Sequence, residues 1–323
     1  MELAEGSKPL HARDSVDEYF DAFIGDCRLR GMTHHSIRMY ESILRSFKRH
    51  LRCYGIEDVA DIDKYVVRDY VGILREEREL SISTIENHLS AVSAFFDYLV
   101  YEDVMETNIA LAVRKRYVRR YKAESPGEGQ TRKLITVAQM KVLVHSILQP
   151  RDRAIVVLLA KTGIRREELV TIDVKDVDFA NMKIVLKPKA KRSNRVVFFD
   201  EECAKTLQDW LIVRQRYAKS SVPALFITEG GGRVWGNRIY EIVTGHAARV
   251  GLHNTSSDRL EDHFSPHCFR HWFTSQLRSN NMPREMIQEL RGDSPPDAID
   301  IYIHLDLEKV KSEYLRCIPK LGI

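Results

Sequence analysis

Three short stretches of the sequence carry residue types that could bind an anion or take part in catalysis, and the first is "FSPHCFRHWFTSQLR" at 264–278. Ser265 is a natural N-cap and Pro266 suits the first helical position, so a helix is predicted to begin here. His267 and Arg270 then lie three residues apart on one face of its first turn. A helix N-terminus presents unpaired N–H groups and a positive dipole, which together favour an anion. The alternative is a capped core helix whose His and Arg are merely exposed.

The second stretch, "KTGIRREELVTIDVKDVD" at 161–178, predicts a sharp corner after a helix. Gly163 suits the left-handed position that ends a helix, and the turn after it lets Arg165 project from a rigid corner. Glu168 follows three residues later, close enough to hold Arg165 or a neighbour. The alternative interpretation is a surface Arg–Glu pair, which contributes little to stability.

The third stretch, "RGDSPPDAIDIYIHLD" at 291–306, contains a single tyrosine. Ser294 is predicted to cap a helix that begins at two prolines and has one apolar side. Tyr302 lies on this helix, nine residues after Asp293. Taken alone, a tyrosine in such a helix is most often a packed or half-exposed aromatic.

The helices and strands that must position these residues fall into two groups. Apolar residues at helical spacing predict four amphipathic helices in the N-terminal part, which suits a small bundle. In the second group, "KIVLK" and "RVVFFD" alternate as two strands around a lysine-rich turn, and the rest is mostly helical. The sequence thus predicts a mainly helical fold with a small β-hairpin or sheet. Its predicted parts are a flexible N-terminus, a helical domain, a basic interdomain linker and a second domain with a C-terminal tail, at 1–13, 14–104, 105–133 and 134–323.

The distribution of charge is more informative than its total. The chain has 323 residues and a formal net charge of +4, which alone is weak support for a nucleic-acid partner. However, "LAVRKRYVRRYK" at 111–122 and "KIVLKPKAKRSNR" at 183–195 each hold six Lys or Arg and no acid. Basic clusters interleaved with tyrosine favour a phosphate backbone, although each could equally be a solvated linker or hairpin.

Other classes of protein are disfavoured by the sequence. No apolar run is long enough for a membrane span, and the N-terminus lacks the apolar core of a secretory signal. The five cysteines are scattered without the spacing of a zinc site, which suits reduced thiols in the cytoplasm. No cofactor and no metal ion are expected.

Together, "TGIRREEL", "SPHCFRH" and "RGDSPPDAIDIYIH", in this order, resemble the boxes of the tyrosine recombinase (phage integrase, Xer-like) family. The family pattern reads T-G-x-R-x-x-E-L, then P-H-x-L-R-H, then L-G-H-S with a tyrosine nine residues after that histidine. The spacing from Asp293 to Tyr302 matches this pattern without a gap. The resemblance covers about residues 14–318 and implies a SAM-like helical core-binding domain followed by an α-rich catalytic domain.

The resemblance also implies the chemistry, which is that of a site-specific recombinase that cuts and rejoins duplex DNA without metal or ATP. Tyr302 would attack the scissile phosphorus and form a 3′-phosphotyrosyl link. Arg165 and Arg270 would grip the non-bridging oxygens. His267 would hydrogen-bond the phosphate or accept the tyrosine proton, and Glu168 would orient these groups from behind.

In this family a lysine on the β-hairpin protonates the departing 5′-oxygen, and the resemblance implies one here. Counting back from Arg195, where the second strand begins, favours Lys189. Lys187 and Lys191 are rivals because hairpin lengths vary in the family. Strand alternation does not separate Lys187 from Lys189, since both lie on the same side of the strand.

Asp293 departs from the family pattern, which usually has His, and sometimes Trp, at this position. Both usual residues can donate a hydrogen bond to phosphate, whereas an ionised Asp cannot and would repel it. Three hypotheses follow. Asp293 orients His267 or an arginine, or Arg291 or His304 supplies the missing donor, or the active site is impaired.

The expected partner is a double-stranded DNA site, held in a clamp formed by the two domains. The side chains predicted to contact DNA are those of the basic linker and hairpin: Arg114, Lys115, Arg116, Arg119, Arg120, Lys122, Lys187, Lys191 and Arg192. Self-association into a dimer or tetramer is expected on DNA. The segment 307–323 would pack either on a neighbouring protomer or on its own domain.

The sequence leaves the biological role open. It does not separate integration or excision of a mobile element from Xer-like dimer resolution. A type IB topoisomerase-like activity and a DNA-binding or architectural protein with an impaired site are the alternative functions. A helical scaffold with no role on DNA is a third.

Overall fold

The structure is a computed structural model that describes residues 15–119, 133–188, 194–219, 222–257, 259–293 and 305–323, with only the backbone of Arg119. The chain divides into two compact units, Met1–Gly129 and Gln130–Ile323.

All regular structure in the described part of the first unit is helical. The helices are α1 (Val16–Leu29), α2 (His34–Cys53), α3 (Lys64–Gly72), α4 (Ile82–Tyr101) and α5 (Ile109–Arg114). A 3₁₀ turn spans Val59–Asp61, and π-helical turns extend α3 over Ile73–Glu77 and α5 over Lys115–Arg119. Each of the first four helices begins at a side chain that accepts a hydrogen bond from a backbone N–H of the first turn, namely Ser15, Thr33, Asp63 and Ser81.

Aromatic side chains fill the core of the first unit. Phe23, Phe47, Phe95 and Phe96 are fully buried. Phe95 packs edge to face against Phe23, with ring centroids 5.7 Å apart. These residues come from the apolar stripes of α1, α2 and α4, so the helical spacing visible in the sequence is what closes the bundle.

The sequence was interpreted as having a basic linker at 105–133, but part of this segment is helical. Residues 109–119 form α5 and its π-helical extension. Ala110, Val113 and Val118 are buried against the other helices of the unit. These apolar residues are three and five residues apart, as suits an α-helix that continues as a π-helical turn, and they give the segment a buried side. The first unit therefore holds a helix beyond the four predicted.

The second unit is also mainly helical. Its helices are α6 (Val137–His145), α7 (Pro150–Thr162), α8 (Arg166–Thr171), α9 (Glu201–Arg214), α10 (Gly236–Arg249), α11 (Pro266–Ser279), α12 (Arg284–Arg291) and α13 (Leu307–Cys317). Short 3₁₀ turns span Val174–Asp176 and Leu260–Asp262. Almost every residue of α7 is buried, so α7 is the central helix around which the others pack.

A small antiparallel sheet lies in the second unit. Its strands, in spatial order, are β1 (Val177–Asp178), β2 (Lys183–Val185) and β3 (Val196–Phe198). Ile184 at the centre of β2 pairs with Val177 on one side and with Val197 on the other. The two strands predicted from the sequence are therefore present. The first strand was not predicted, because two residues are too few for an alternating pattern to signal a strand.

The C-terminal segment packs on its own unit. Val310, Tyr314 and Cys317 of α13 are fully buried, in a cluster that includes Phe273 and other apolar residues of α11 and α12. Beyond α13, Leu321 is buried as well. Of the two arrangements expected for 307–323, the structure adopts packing on the same domain.

The predicted fold class, mainly helical with a small sheet, is confirmed. Helices make up most of the regular structure in both units over the described residues. Within the same residues, no helix combines the length and the apolar character that crossing a membrane requires.

Candidate active site

Helix α7 ends at a corner that requires glycine. Gly163 has a φ of 59°, in the left-handed region that favours glycine at the end of a helix. A Cβ at this position would also lie 2.5 Å from Cδ1 of Phe273, a buried side chain of α11. The corner therefore lets α7 and α11 approach closely, and it fixes the point from which Arg165 projects.

Arg165 precedes α8, and Glu168 holds it from the first turn of that helix. Oε2 of Glu168 accepts from the backbone N–H of Arg165 at 2.7 Å, and Oε1 accepts from Nη1 at 3.2 Å. The Glu168 side chain is 3% exposed, whereas that of Arg165 is 39% exposed. A buried carboxylate thus anchors a guanidinium whose other side faces solvent. The contact predicted from the three-residue spacing is present.

Arg270 lies in the second turn of α11 and is buried. Its Nη1 donates to the carbonyl of Gly163 at 3.0 Å, and its Nη2 donates to the carbonyl of Arg291 at 2.8 Å. Burial lowers the pKa of this guanidinium to about 10, and the neighbouring positive charge of Arg165 acts in the same direction. Two backbone carbonyls therefore fix the orientation of a cation that is costly to bury.

Asp293 lies between these two arginines. Gly292, with a φ of 59°, ends α12 and turns the chain there. Oδ1 of Asp293 accepts from Nη2 of Arg270 at 2.7 Å and from Nη2 of Arg165 at 3.4 Å. Its Oδ2 lies 2.9 Å from Nε of Arg291. One carboxylate thus joins three arginines. We call the following five residues the arginine pocket: Arg165, Glu168, Arg270, Arg291 and Asp293.

The arginine pocket has an excess of positive charge. Its three guanidiniums face two carboxylates, and three of its five side chains are 30–39% exposed. Arginine donors in a fixed, partly desolvated arrangement are suited to the oxygens of a phosphate. Among the residues that the structure describes, no group of three or more His, Cys, Asp or Glu is arranged to hold a metal ion.

His267 lies near the arginine pocket in sequence, on the first turn of α11. That helix begins at Pro266 after the N-cap Ser265, as the sequence predicts. The imidazole of His267 is exposed, and its ring meets that of His271 edge to face, with centroids 4.7 Å apart. The sequence interpretation did not single out His271. The four-residue spacing of the two histidines was the signal for this contact.

Lys187, one of the candidate acids, is held in a separate ion cluster. Its ammonium contacts the Asp173 carboxylate and lies 3.9 Å from that of Asp176. Burial acts to raise the pKa of Asp173, but hydrogen bonds from Arg233 and Lys187 outweigh it and place this pKa below its ordinary value. Lys187 therefore neutralises a buried carboxylate at the base of the hairpin.

Many of the predicted site residues lie outside the described residues. They are Arg120, Lys122, Lys189, Lys191, Arg192, Tyr302, His304 and the side chain of Arg119. Of the described basic residues in the same set, Arg114 lies 3.6 Å from the carboxylate of Glu86. Lys115 and Arg116 are exposed, and the Arg116 guanidinium lies over the ring of Tyr117 at 5.8 Å.

A basic surface on α2 was missed by the sequence interpretation, which used only the apolar side of that helix. Arg38, Arg45 and Arg49 are exposed on it at positions i, i+7 and i+11, which place them on one side. Among the described residues, no carboxylate forms an ion pair with them, whereas Arg52 on the same helix pairs with Asp17 at 3.4 Å. We call these three residues the α2 arginine face. Their spacing was a readable signal for a phosphate-binding surface.

A mainly helical chain of two units, whose second unit brings two arginines from distant boxes together on one aspartate, has the architecture of a tyrosine recombinase. The family model described as "Phage integrase family" matches residues 129–309, more than half of the chain. A second one, "Phage integrase, N-terminal SAM-like domain", matches residues 16–103. The chain belongs to the phage integrase family. The predicted tyrosine recombinase class, with a SAM-like N-terminal domain, is confirmed.

Individual relatives and solved structures agree with this assignment. The tyrosine recombinase XerC of Vibrio vulnificus (strain YJ016) is 27% identical over 312 residues, which cover 97% of this chain and 93% of the relative. The structure of the Tn1549 transposon integrase in complex with transposon right end DNA has a TM-score of 0.69 at 18% identity, covering 92% of this chain and 98% of the other. A lambda integrase dimer bound to a COC′ core site has a TM-score of 0.66 at 14% identity, covering 90% and 98%. Both structures share the fold of this chain.

Proposed function

We propose that this chain is a site-specific DNA recombinase that cuts and rejoins duplex DNA through a 3′-phosphotyrosyl intermediate on Tyr302, without metal or ATP. The observation that carries the proposal is the meeting of Arg165, Glu168 and Arg270 in one pocket. Arg270 donates to Gly163, which lies 107 residues away in the chain, so the fold brings together two boxes that the sequence separates. Membership of the phage integrase family supports the same function.

The scissile phosphate would bind to the two arginines of the pocket. Nη2 of Arg165 and Nη2 of Arg270 converge on one oxygen of Asp293, and the same geometry suits a phosphate oxygen. As phosphorus becomes five-coordinate, negative charge grows on the non-bridging oxygens, and pre-oriented guanidiniums stabilise it. Glu168 and the carbonyls that hold the arginines keep these donors in place during the reaction.

Tyr302 would supply the nucleophile. Its phenolic oxygen attacks phosphorus, the bond to the 5′-oxygen breaks, and the 3′ end stays attached to the protein. The phenolic proton passes to a base, for which His267 on the exposed turn of α11 is the candidate. Because the phosphotyrosyl link conserves the energy of the broken bond, a free 5′-hydroxyl can reverse the step and join a new strand.

Lys189 is the proposed acid that protonates the departing 5′-oxygen. Lys187 is the weaker candidate, because its ammonium would have to leave the carboxylates of Asp173 and Asp176 before it could act. Lys191 remains the rival to Lys189. In the pocket, Arg291 is committed to Asp293, so it replaces the missing family histidine as a donor only if that contact opens.

Duplex DNA is the proposed partner, bound along the basic residues 114–116 and the α2 arginine face. The Tn1549 and lambda integrase structures contain DNA, and the lambda protein is a dimer, which supports DNA binding and self-association by this chain. A part for 307–323 in self-association would require the tail to leave its own unit. The reaction would serve either a mobile element or dimer resolution, in the cytoplasm, where the five unpaired cysteines would stay reduced.

A pool of nicked duplexes with a randomised core tests this proposal, because the nick lets the cleaved end diffuse away and traps the covalent complex. We expect a protein–DNA adduct that survives denaturation, with the attached strands enriched in one sequence. Tyr302→Phe should abolish the adduct. Tyr217→Phe, which changes an exposed tyrosine of the same unit, should leave it unchanged.

Two outcomes would contradict the proposal. Salt-sensitive binding of the pool with no adduct at any sequence would point to a DNA-binding protein with an impaired site. An adduct that persists in Tyr302→Phe would place the nucleophile elsewhere. Tyr314 is unsuited to that role, since it is fully buried and donates to the carbonyl of Lys161 at 2.9 Å.

A further inference from the structure

The carboxylate of Asp293 occupies the donors that the proposed function assigns to phosphate. Its Oδ1 accepts from Nη2 of both Arg165 and Arg270. Asp293 is 30% exposed, and the Arg165 side chain is 39% exposed, so this contact lies at the open side of the arginine pocket. The carboxylate of Asp293 therefore occupies the place where the phosphate would bind.

Nη2 of Arg270 has too few hydrogens to donate to Asp293 and to a phosphate at the same time. Nη2 of an arginine carries two hydrogens. The carbonyl of Arg291 accepts one of them at 2.8 Å, and Oδ1 of Asp293 accepts the other at 2.7 Å. Nη1 donates to the carbonyl of Gly163 on the buried side. For a phosphate oxygen to accept from Nη2, Asp293 must release it.

Arg291 gives Asp293 a second place to bind. Its Nε lies 2.9 Å from Oδ2, the carboxylate oxygen that does not contact Arg165 or Arg270. The left-handed Gly292 between the two residues makes this local pairing possible within one turn of chain. Asp293 can therefore release the Nη2 donors of Arg165 and Arg270 from Oδ1 to an incoming phosphate, while its charge stays paired through Oδ2.

We propose that Asp293 is a built-in competitor for the scissile phosphate, which closes the arginine pocket in the free protein and moves aside onto Arg291 when DNA phosphate enters. The proposal rests on the proposed function, since it takes phosphate as the ligand of the pocket. It makes Asp293 an inhibitory contact and Arg291 the residue that allows its release. Free protein would then bind isolated phosphates weakly, and only a phosphate held in place by the rest of the DNA would open the pocket.

The affinity of the free protein for inorganic phosphate tests this competition. Phosphate is titrated at constant ionic strength, and the dissociation constant is taken from the rise in the thermal midpoint. Asp293→Asn keeps the shape of the side chain and removes its charge, and we expect phosphate to bind about tenfold more tightly. Asp293→Ala removes the charge with a smaller side chain and should give the same direction. Asp209→Asn, at an exposed position of α9, is the matched control and should change nothing.

A double-mutant cycle with Arg291→Met separates release of Asp293 from direct contact between Arg291 and phosphate. If Arg291 receives the displaced carboxylate, its loss should weaken phosphate binding several-fold in the wild type and much less in Asp293→Asn. Equal losses in both backgrounds would mean that Arg291 binds phosphate itself. Phosphate affinity that stays unchanged or falls in both Asp293→Asn and Asp293→Ala would overturn the proposal, because Asp293 would then only orient the arginines.

The phosphate titration needs neither Tyr302 nor a target sequence, so its result is independent of the test for the covalent adduct. If Asp293→Asn binds phosphate more tightly but no adduct forms, the competition between Asp293 and phosphate is supported and the recombinase reaction is contradicted. If an adduct forms but Asp293→Asn does not bind phosphate more tightly, the recombinase reaction is supported and the competition is contradicted.

Discussion

Two charged clusters of the second unit differ in how far they are buried and in whether every donor of the cation is used. In the first, Lys161 is completely buried, and its ammonium donates to Asp200 at 2.7 Å, to Glu202 at 2.6 Å and to the carbonyl of Pro319 at 2.7 Å. An ammonium has three hydrogens, so every donor is used. We call Lys161, Asp200 and Glu202 the lysine cluster. It has no donor left for a ligand.

The arginine pocket has the opposite properties. Three guanidiniums share two carboxylates, and Arg165, Arg291 and Asp293 remain partly exposed. The lysine cluster ties the C-terminal tail to α7 and α9, whereas the arginine pocket has donors that can change partner. A completely buried cation whose donors are all used indicates a structural role, and three guanidiniums that share two carboxylates at an open surface indicate a ligand site.

The largest effect is expected from breaking the lysine cluster. Lys161→Met leaves two carboxylates without their buried cation, which costs about 3–5 kcal/mol of unfolding free energy. Urea unfolding measures this loss. Lys320→Met, which removes a 60% exposed lysine 3.5 Å from Asp200, is the control and should cost about 0–1 kcal/mol. A loss below about 1 kcal/mol for Lys161→Met would show that the cluster does not hold the unit together.

Arg165→Ala should give the complementary result. The side chain is 39% exposed, so its removal should change the free energy of unfolding by about 1 kcal/mol or less. Loss of one transition-state donor should slow formation of the covalent adduct about 10²–10³-fold. Single-turnover cleavage of a trapped substrate, beside urea unfolding of the same protein, measures both. A large loss of stability with little change in rate would reverse the roles assigned to the two clusters.

Glu202 of the lysine cluster should make the stability of the protein depend on pH. Burial acts to raise its pKa, but the N–H groups of Leu321 and Gly322 and the ammonium of Lys161 outweigh it and lower the pKa from 4.5 to about 2. Because the folded-state pKa is depressed, the stabilisation is complete well above pH 4.5 and is lost as the pH falls towards 2.

As the pH falls from 6.5 to 3.5, titration of Glu202 should lower the free energy of unfolding of the wild-type protein by about 1 kcal/mol. Glu202→Gln should lack this contribution, because its side chain carries no charge at either pH. Urea unfolding at both pH values measures the difference. Identical pH profiles for the two proteins would mean that Glu202 is not held in its charged form by the tail.

How much the sequence predicts also differs between the clusters. The glycine corner at Gly163 and the cap at Ser265 with Pro266 follow from local rules, and the structure has both. Asp293 was recognised as a departure from the family pattern, but its contact with Arg165 joins residues 128 apart in the chain. No local spacing predicts such a contact, so the sequence left three hypotheses open. The roles of the site residues remain predictions.

The lysine cluster was not predicted at all. Lys161 follows the apolar run of α7, where a lysine is expected to reach solvent with its ammonium. Its partners Asp200 and Glu202 lie about 40 residues further on and Pro319 lies 158 residues away, so their meeting depends on how the tail packs. The helix at 109–119 was missed for a different reason, because the basic residues of 111–122 drew attention away from the buried apolar residues Ala110, Val113 and Val118.

The smallest effect is expected on the α2 arginine face, which forms no ion pair with a carboxylate among the described residues. Arg45→Ala and Arg49→Ala should each weaken non-specific DNA binding a few-fold and reduce the salt slope of the affinity by about 1. Arg52→Ala removes an arginine of the same helix that pairs with Asp17, and it should change the slope less. Equal slopes for all three variants would show that α2 does not contact the DNA backbone.

Mapping the covalent junction tests the central claim most directly. The trapped adduct is digested with protease and nuclease, and mass spectrometry identifies the residue and the DNA end that are joined. The predicted result is a single peptide that carries a 3′-phosphate on Tyr302, with the adduct lost in Arg165→Ala at early times. A 5′-phosphate, or a link to any other residue, would contradict the account.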